Sequence, residues 1–264
     1  MIQEIEPGGI EAYRALFPGQ QLEMVIASVT AGNTTARLWT GDGATLLWDQ
    51  GNNVFYLAGA ASDAGALKAL IAGPIRDEAL RRGRRYFRAR GLAAPLHERL
   101  PELFAPTALH VTNKRFYRYT GSAPARAPDP EGIAFVPIDG VLLNTRGLAN
   151  LGQVRHEIGL MWPSEALFFE KGFGVAALAE HTIIGWCTAE YASRTMCGIG
   201  IETLEDYQRR GIATAAARRF VRHALAHGVA PHWECDAKNL PSVRVAEKTG
   251  FTLVEEATFW AGIF

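Results

Sequence analysis

The chain has 264 residues, 48% hydrophobic and 20% charged, enough to bury a core in one large domain or two ordinary ones. Its 27 lysines and arginines are matched by 27 aspartates and glutamates, which argues against the strongly basic balance of a genomic-scale nucleic-acid binder. The three cysteines, Cys187, Cys197 and Cys235, lack the short paired spacing of a zinc site and suit a reducing compartment.

The opening "MIQEIEPGGIEAY" carries acids where a signal peptide needs basic and then apolar residues. No apolar run approaches the length of a membrane span, so a cytoplasmic protein with no membrane partner is expected. A short helix is expected around "GGIEAYRALF", followed by strand-like runs "MVIASVT", "TARLWTG", "ATLLWDQ" and "NVFYLAG". The stretches "TGDGAT" and "DQGNN" between them have hairpin-turn chemistry. Helices are expected over "SDAGALKALIAG" and "IRDEALRRGRRYFRARG", then a strand, "ALHVTNKRFYRYTG". The arginines of the second helix could meet an anionic partner or nucleic acid. The commoner role of such a run is a solvated face, here partly offset by Asp77 and Glu78. Residues 120–132, "TGSAPARAPDPEG", have no apolar periodicity and read as a linker, giving an N-terminal α/β lobe over 1–120 and a second domain over 133–264.

In the second domain "GLANLGQVRHEIGLMW" has helical spacing through Leu148, Leu151, Val154 and Ile158. "FGVAALAE" and "TIIGWCTAEYA" form a hairpin turning at Glu180 and His181, and "MCGIGIETL" is a third strand. A helix of about four turns follows "DYQRRG", ends before Gly228, and carries a stripe of Ala216, Phe220, Val221, Ala224 and Leu225. "PHWECDA" is a strand, "LPSVRVAEKTG" a short helix, and "FTLVEEATFWAGIF" supplies the last strands. The order describes a mixed, mainly antiparallel sheet flanked by helices.

A strand, a glycine-containing turn and a helix start make a trap for an anion. The first N–H groups of a helix lack intrahelical partners, and the macrodipole adds partial positive charge there. Gly211 permits close backbone approach, Ala213 keeps the ligand side clear, Thr214 offers a hydroxyl, and Arg209 and Arg210 add charge. Alone, the stretch reads equally as a turn with solvated arginines. It is neither a phosphate-binding Gly-Lys-Ser/Thr loop nor a dinucleotide fingerprint.

About thirty residues later comes "NLPSVRVAEKTGF". Together the two motifs resemble the GNAT superfamily of acyl-CoA N-acyltransferases. Gln208, Gly211 and Ala213 match its Gln/Arg-x-x-Gly-x-Gly/Ala loop, and Asn239, Lys248, Gly250 and Phe251 match its later helix. The resemblance covers 133–264 and looks most like a two-lobed bacterial subgroup that includes an antibiotic self-resistance acetyltransferase. It implies acetyl-CoA as co-substrate. The pantetheine arm would lie along Ile201, Glu202 and Thr203 in a gap between the strand before the loop and the next one. The pyrophosphate would lie on the backbone N–H groups of Arg209, Arg210, Gly211, Ile212, Ala213 and Thr214, with Asn239 on the other side of the arm.

The reaction implied is direct attack of a neutral amine on the thioester, with a strand N–H near Ile201 for the oxyanion and a carboxylate or water chain to take the proton. Glu190 and Glu202 are the candidate carboxylates, although strand glutamates on a solvated face are ordinary. Glu190, on a strand otherwise rich in apolar residues, is favoured for amine contact, and Glu202 for a backbone role. The tyrosine acid common in the family is replaced by Ala246, leaving Ser242 or Cys235 as substitutes, or a thiolate that leaves unaided. His223 and His227 have metal-binding spacing, but no third ligand is evident and no metal is expected. His156, Glu157 and Trp162 could border the acceptor. The expected acceptor is a primary amine on a small molecule. The rival class is an acyl-CoA-binding module without turnover. Oligomeric state is left open. The N-terminal lobe, strands then an arginine-rich helix then a strand, is expected to be a degenerate copy of the same fold without the coenzyme loop.

Overall fold

The computed structural model describes residues 2–41, 43–60, 64–126 and 128–264. Asp42 of the expected 41–43 turn, Ser62 and Asp63 at the start of the expected 62–73 helix, and Ala127 of the expected linker lie outside the described residues. The chain divides into two compact units. The first is Met1–Lys114 with Ala257–Phe264 and the second is Arg115–Glu256.

The first unit runs β1 (Gln3–Ile5), a 3₁₀ helix (Pro7–Leu16), α1 (Gln20–Thr30), β2 (Ala36–Gly41), β3 (Ala44–Asp49) and β4 (Val54–Gly59). α2 (Ala64–Leu70) continues through a π turn (Ile71–Ile75) into α3 (Arg76–Arg81), and β5 (Tyr86–Gly91), α4 (Ala94–Glu98) and α5 (Leu100–Leu103) follow. β6 (His110–Tyr119) then leads into the second unit: β7 (Ala134–Pro137), α6 (Gly140–Leu143), α7 (Leu151–Met161), α8 (Glu165–Lys171), β8 (Gly174–Ala179), β9 (Thr182–Glu190) and β10 (Met196–Thr203). A 3₁₀ turn (Glu205–Tyr207), α9 (Ile212–Ala226), β11 (Ala230–Asp236) and α10 (Leu240–Thr249) complete it, and β12 (Phe251–Ile263) runs on into the first unit.

The two units repeat one pattern. In the first, β1 to β4 form an antiparallel meander, a helical segment crosses over, and β5 returns parallel to β4. The end of β12 then lies antiparallel to β5, Trp260 opposite Ala89. In the second, β7 to β10 form the meander, α9 crosses over, and β11 returns parallel to β10. β6 follows β11 in the strand order.

The first unit's core is aromatic. Trp48 stacks on Phe55 at 5.5 Å, Phe87 on Phe104 at 4.9 Å and on Phe264 at 4.2 Å. Trp48 is fully buried, so its indole N–H needs a partner. Asn53 supplies it, Nε1 donating to Oδ1 at 2.8 Å, while the Asn53 amide donates to the carbonyls of Arg84 (3.2 Å) and Tyr86 (2.7 Å). Asn53 also takes the left-handed turn conformation between β3 and β4 (φ 53°), which asparagine tolerates well among non-glycine residues. One buried side chain thus pins the hairpin to the start of β5.

In the second unit α9 buries Ile212, Ala216, Ala217, Phe220, Val221 and Ala224, the stripe expected of one helix face, while Leu225 at its border is half-buried. α9 packs over β8, β9, β10 and β11. α10 begins at Asn239, whose side chain accepts from the Ser242 N–H at 3.2 Å, and stops at Gly250 in the left-handed conformation (φ 105°).

Three expectations about elements are corrected. "MVIASVT" lies in α1, because Leu22, Val25, Ile26 and Val29 are spaced for a buried helical face and override the β-branched composition. The arginine-rich 75–91 segment is not one helix. It stops at Arg81, Gly83 turns with φ 72°, and Tyr86–Gly91 forms β5 with alternating burial. The C-terminal segment is one long strand rather than several. β1, α4, α5, α6 and α8, too short for a periodic signal, were not foreseen. Residues 120–132, as described, hold no helix or strand.

Two outcomes are expected. Asn53→Ala removes three hydrogen bonds, one buried and two partly buried, at a left-handed position, so it should lower unfolding stability by about 2–4 kcal/mol in denaturant titration. His232 in β11 is buried, and burial, then the charge of Arg118, pushes its pKa down from 6.5 to about 4. The unfolded chain therefore takes up this proton first as pH falls. The contribution is intact above pH 6.5 and lost toward pH 4, about 3 kcal/mol in all. Denaturation at pH 7 and pH 4.5 should show a smaller pH loss in His232→Gln than in the parent chain.

Candidate functional site

β10 is the strand on which the candidate site is built. On one side it pairs with β9 over most of its length, from Gly198 opposite Glu190 to Thr203 opposite Gly185. On the other side its parallel pairing with β11 covers only Met196–Ala230, Cys197–Pro231 and Gly198–His232. From Ile199 to Thr203 that edge has no β11 partner, so the two strands part. An unpaired strand edge presents backbone N–H and C=O groups to an extended ligand. Ile201, Glu202 and Thr203, the residues expected along a pantetheine arm, stand on this open length.

The same strand leads directly to the helix start. Gln208 is extended, Arg209 and Gly211 take left-handed conformations (φ 62° and 80°), and α9 begins at Ile212. Gly211 is the N-cap and no side chain caps the helix. The N–H groups of Ile212, Ala213 and Thr214 therefore face outward from the first turn. A Cβ at Gly211 would meet nothing within 4 Å, so the glycine is required by its φ and leaves the approach clear.

The polar residues of the loop divide between holding it and facing outward. The Gln208 amide donates to the Thr203 carbonyl at 3.0 Å, tying the loop to the end of β10. Arg210 donates to the Asp206 carbonyl at 2.9 Å and lies over the Tyr207 ring at 5.1 Å. Arg209 is exposed.

Opposed residues of an antiparallel pair share a face. Glu190 with Gly198, Thr188 with Gly200, and Trp186 with Glu202 therefore line one face of β9 and β10. The Glu190 carboxylate lies where a side chain at position 200 would be: a Cβ on Gly200 would collide with Glu190 Oε1 and stand 3.0 Å from Thr188 Oγ1. Gly200 thus makes room for a half-buried carboxylate beside the point where β10 and β11 part.

Two buried polar atoms on this face, Trp186 Nε1 and Thr188 Oγ1, have no hydrogen-bond partner among the described residues, and Thr203 Oγ1, on the opposite face of β10, has none either. Each unmet buried group costs about 1–3 kcal/mol, and the Trp186 and Thr188 pair on the Glu190 face fits a site that receives a polar ligand.

The other expected residues are placed differently. Glu202 is exposed and about 13 Å along the strand from the Glu190 position, four residues on. Ser242 lies on α10, its hydroxyl accepting from Trp233 Nε1 at 3.1 Å. Asn239 caps α10. Ala246, in the usual tyrosine position, is fully buried. Burial first, then the mutual proximity of Cys197 and the charge of Glu190, pushes the Cys187 thiol up, and Cys197 is likewise raised by burial and Glu190. Neither is a ready nucleophile. His223 stacks on His227 at 4.3 Å and on Phe173 at 4.6 Å. Among the described residues no group of three or more His, Cys, Asp or Glu is arranged to hold a metal, and no helix is long and apolar enough to cross a membrane.

Sequence reasoning passed over Trp186, Thr188 and Gly200. A usable signal existed: a Gly-x-Gly stretch at the centre of a strand, facing a neighbour that alternates Trp, Thr and Glu on one face. It also passed over the cations that continue up α9, whose helical spacing was read only for the apolar stripe.

A family model for GNAT acetyltransferases matches residues 14–260. Among curated proteins the chain is 35% identical over 131 residues to an uncharacterized N-acetyltransferase, YdfB, of Bacillus subtilis (strain 168), covering 50% of this chain. The match spans about half (49%) of that relative's length. Among solved structures it resembles a GCN5-related N-acetyltransferase-like protein from Streptococcus suis 89/1591, with TM-score 0.65, 18% identity, and 96% and 97% of the two chains covered. A tandem GNAT protein from the clavulanic acid biosynthesis pathway matches with TM-score 0.53 and 11% identity over 100% and 98% of the chains. These two likenesses concern the fold. The mixed sheet and its flanking helices agree with them, and with the family match across nearly the whole chain they place this protein in the GNAT acetyltransferase family.

Proposed function

We propose that the second unit transfers an acetyl group from acetyl-CoA to a primary amine of a small molecule by direct attack, with both substrates bound together. The observation that carries this reading is the continuity of β10, from an edge without a β11 partner at Ile199–Thr203 to the uncapped start of α9 at Gly211. A ligand with an amide-bearing arm and a diphosphate matches those two features in that order. Ile201, Glu202 and Thr203 would hold the arm through backbone groups, and the N–H groups from Arg209 to Thr214 would hold the diphosphate. Asn239 would stay at its cap and border the arm.

Acetyl-CoA supplies the acyl group as a thioester when bound. The chain's own part is to position, to accept a proton and to stabilise charge. Glu190, beside the point of strand separation, takes the proton lost by the attacking amine. The unpaired N–H groups near Ile201 are available to the developing oxyanion. Thr188 and Trp186, with unmet buried polar atoms on the Glu190 face, orient the acceptor. Glu202 contributes backbone rather than side chain. With Ala246 in the tyrosine position, the thiolate departs without the tyrosine acid common in the family.

The first unit, on this proposal, is a copy of the same fold that does not bind coenzyme. Its meander, crossover helix and parallel fifth strand support this, together with the absence from its sequence of a Gln-x-x-Gly-x-Ala loop. The buried Ala246 favours a second reading, an acyl-CoA-binding module without turnover. Thiol release from acetyl-CoA across a panel of small amines separates the two. Amine-dependent release supports the transferase. Tight coenzyme binding with no release from any amine supports the module.

Two variants sharpen this. Gly211→Glu puts a carboxylate in front of the helix start and should weaken coenzyme A binding by about a hundredfold or more in titration calorimetry, while Gly211→Ala, which shares the backbone strain without the charge, should lose less. Unchanged affinity in a folded Gly211→Glu protein would displace the diphosphate from this loop. Glu190→Gln should lower kcat by about 10²–10⁴ and leave coenzyme affinity unaltered. A full rate in that variant would remove Glu190 as the base.

A further inference from the structure

Beside the start of α9 lies a cavity of about 390 Å³ whose walls include Arg210, Arg218, Arg219, Arg222, Lys248 and Asp129. Five cations facing one carboxylate is an imbalance that a folded chain does not create without cost, since like charges repel at short range. Two of the five are already committed. Arg210 is held by Asp206 and Tyr207. Arg219 is ion-paired with Asp129, donates to the Ala215 carbonyl and lies over the Phe135 ring at 4.3 Å.

Arg218, Arg222 and Lys248 remain, and among the described residues none of them makes an ion pair. Burial and the charges of Arg219 and Arg126 lower the Arg222 pKa from its ordinary value, in keeping with a site short of negative charge. Thr214, Arg218 and Arg222 are four residues apart and form one line up the helix. Helical side chains lean toward the N-terminus, so both guanidinium groups incline toward the loop. From Gly211 to Arg222 the helix rises about 16 Å, more than a diphosphate at the first turn can span. The cavity therefore offers a second anion position, separate from the N–H groups of the helix start.

We propose that this cavity takes the 3′-phosphate of coenzyme A, a phosphate monoester held by Arg218, Arg222 and Lys248. Its opposite wall is Pro128, Asp129 and Pro130. Asp129 is ion-paired with Arg219 and its charge also acts on Arg222, but one carboxylate leaves the cluster in excess positive charge, so the stretch before β7 forms part of the nucleotide site. This rests on the functional reading above and extends it from the diphosphate to the far end of the coenzyme.

The test compares coenzyme A with 3′-dephospho-coenzyme A by titration calorimetry at fixed salt on the full chain. Coenzyme A should bind the parent protein about ten- to a hundredfold more tightly, as expected for charge-assisted bonds to a phosphate. In Arg222→Ala/Lys248→Ala that preference should fall toward one, while the affinity for the dephospho form stays within about twofold of the parent. Adenosine 3′,5′-bisphosphate should compete, and inorganic phosphate at the same concentration should not. Equal affinity for the two coenzymes in the parent protein overturns this inference and leaves the functional reading standing. A double variant that weakens both ligands equally also overturns it. Failure of both ligands to bind removes the functional reading and this inference together.

Discussion

A strand inside a sheet must bond its backbone on both sides, and β10 keeps its β11 partner only as far as Gly198. That constraint organises the second unit. β9 holds β10 from Gly198 to Thr203, so the strand stays in register after β11 leaves it at Gly198. The cost of the unpaired edge is of the kind that a ligand with its own amides offsets. α9 packed across β8 to β11 keeps the helix start fixed relative to that edge. The preorganisation comes from ordinary core packing: Ile212, Phe220 and Val221 are buried residues with no polar task, yet they fix where the first-turn N–H groups point.

Two glycines serve this arrangement by different physics. Gly211 is needed for its backbone, since its φ lies where side chains are strained while the space around its missing Cβ is empty. Gly200 is needed for its volume, since its missing side chain is replaced by the carboxylate of Glu190. The first permits a turn, and the second permits a charged group to stand inside a sheet face. A reader of composition alone would count both as loop formers, although Gly200 sits mid-strand.

The sequence was most legible where chemistry is local. The Gln208 to Thr214 stretch and the Asn239 to Phe251 stretch carry turn, cap and helix signals within a few residues of each other, so element order in the second unit could be read from them. The strand "TIIGWCTAE" and its hairpin turn at Glu180 and His181 were readable for the same reason. Legibility failed where burial overruled composition, as in α1, whose valines, isoleucine and threonine suggested a strand although their spacing is helical. It failed again at the arginine-rich segment, where Gly83 divides a helix from a strand of similar composition. Which strand the long C-terminal segment joins was least legible, because it depends on contacts far away in sequence. Within the candidate site, the Glu190 face needed the register of β9 on β10, which no single stretch encodes.

That last strand carries a consequence for how the molecule comes into being. The first unit is mostly made of residues before 115, yet its sheet gains the end of β12 and its aromatic core gains Phe264, both translated after the entire second unit. On the ribosome the first unit must wait with the edge of β5 bare and Phe87 and Phe104 incompletely covered. The second unit is in effect an insertion, able to close on itself while its host remains open. Assembly order is therefore inverted relative to synthesis order: the segment that emerges first is the one finished last.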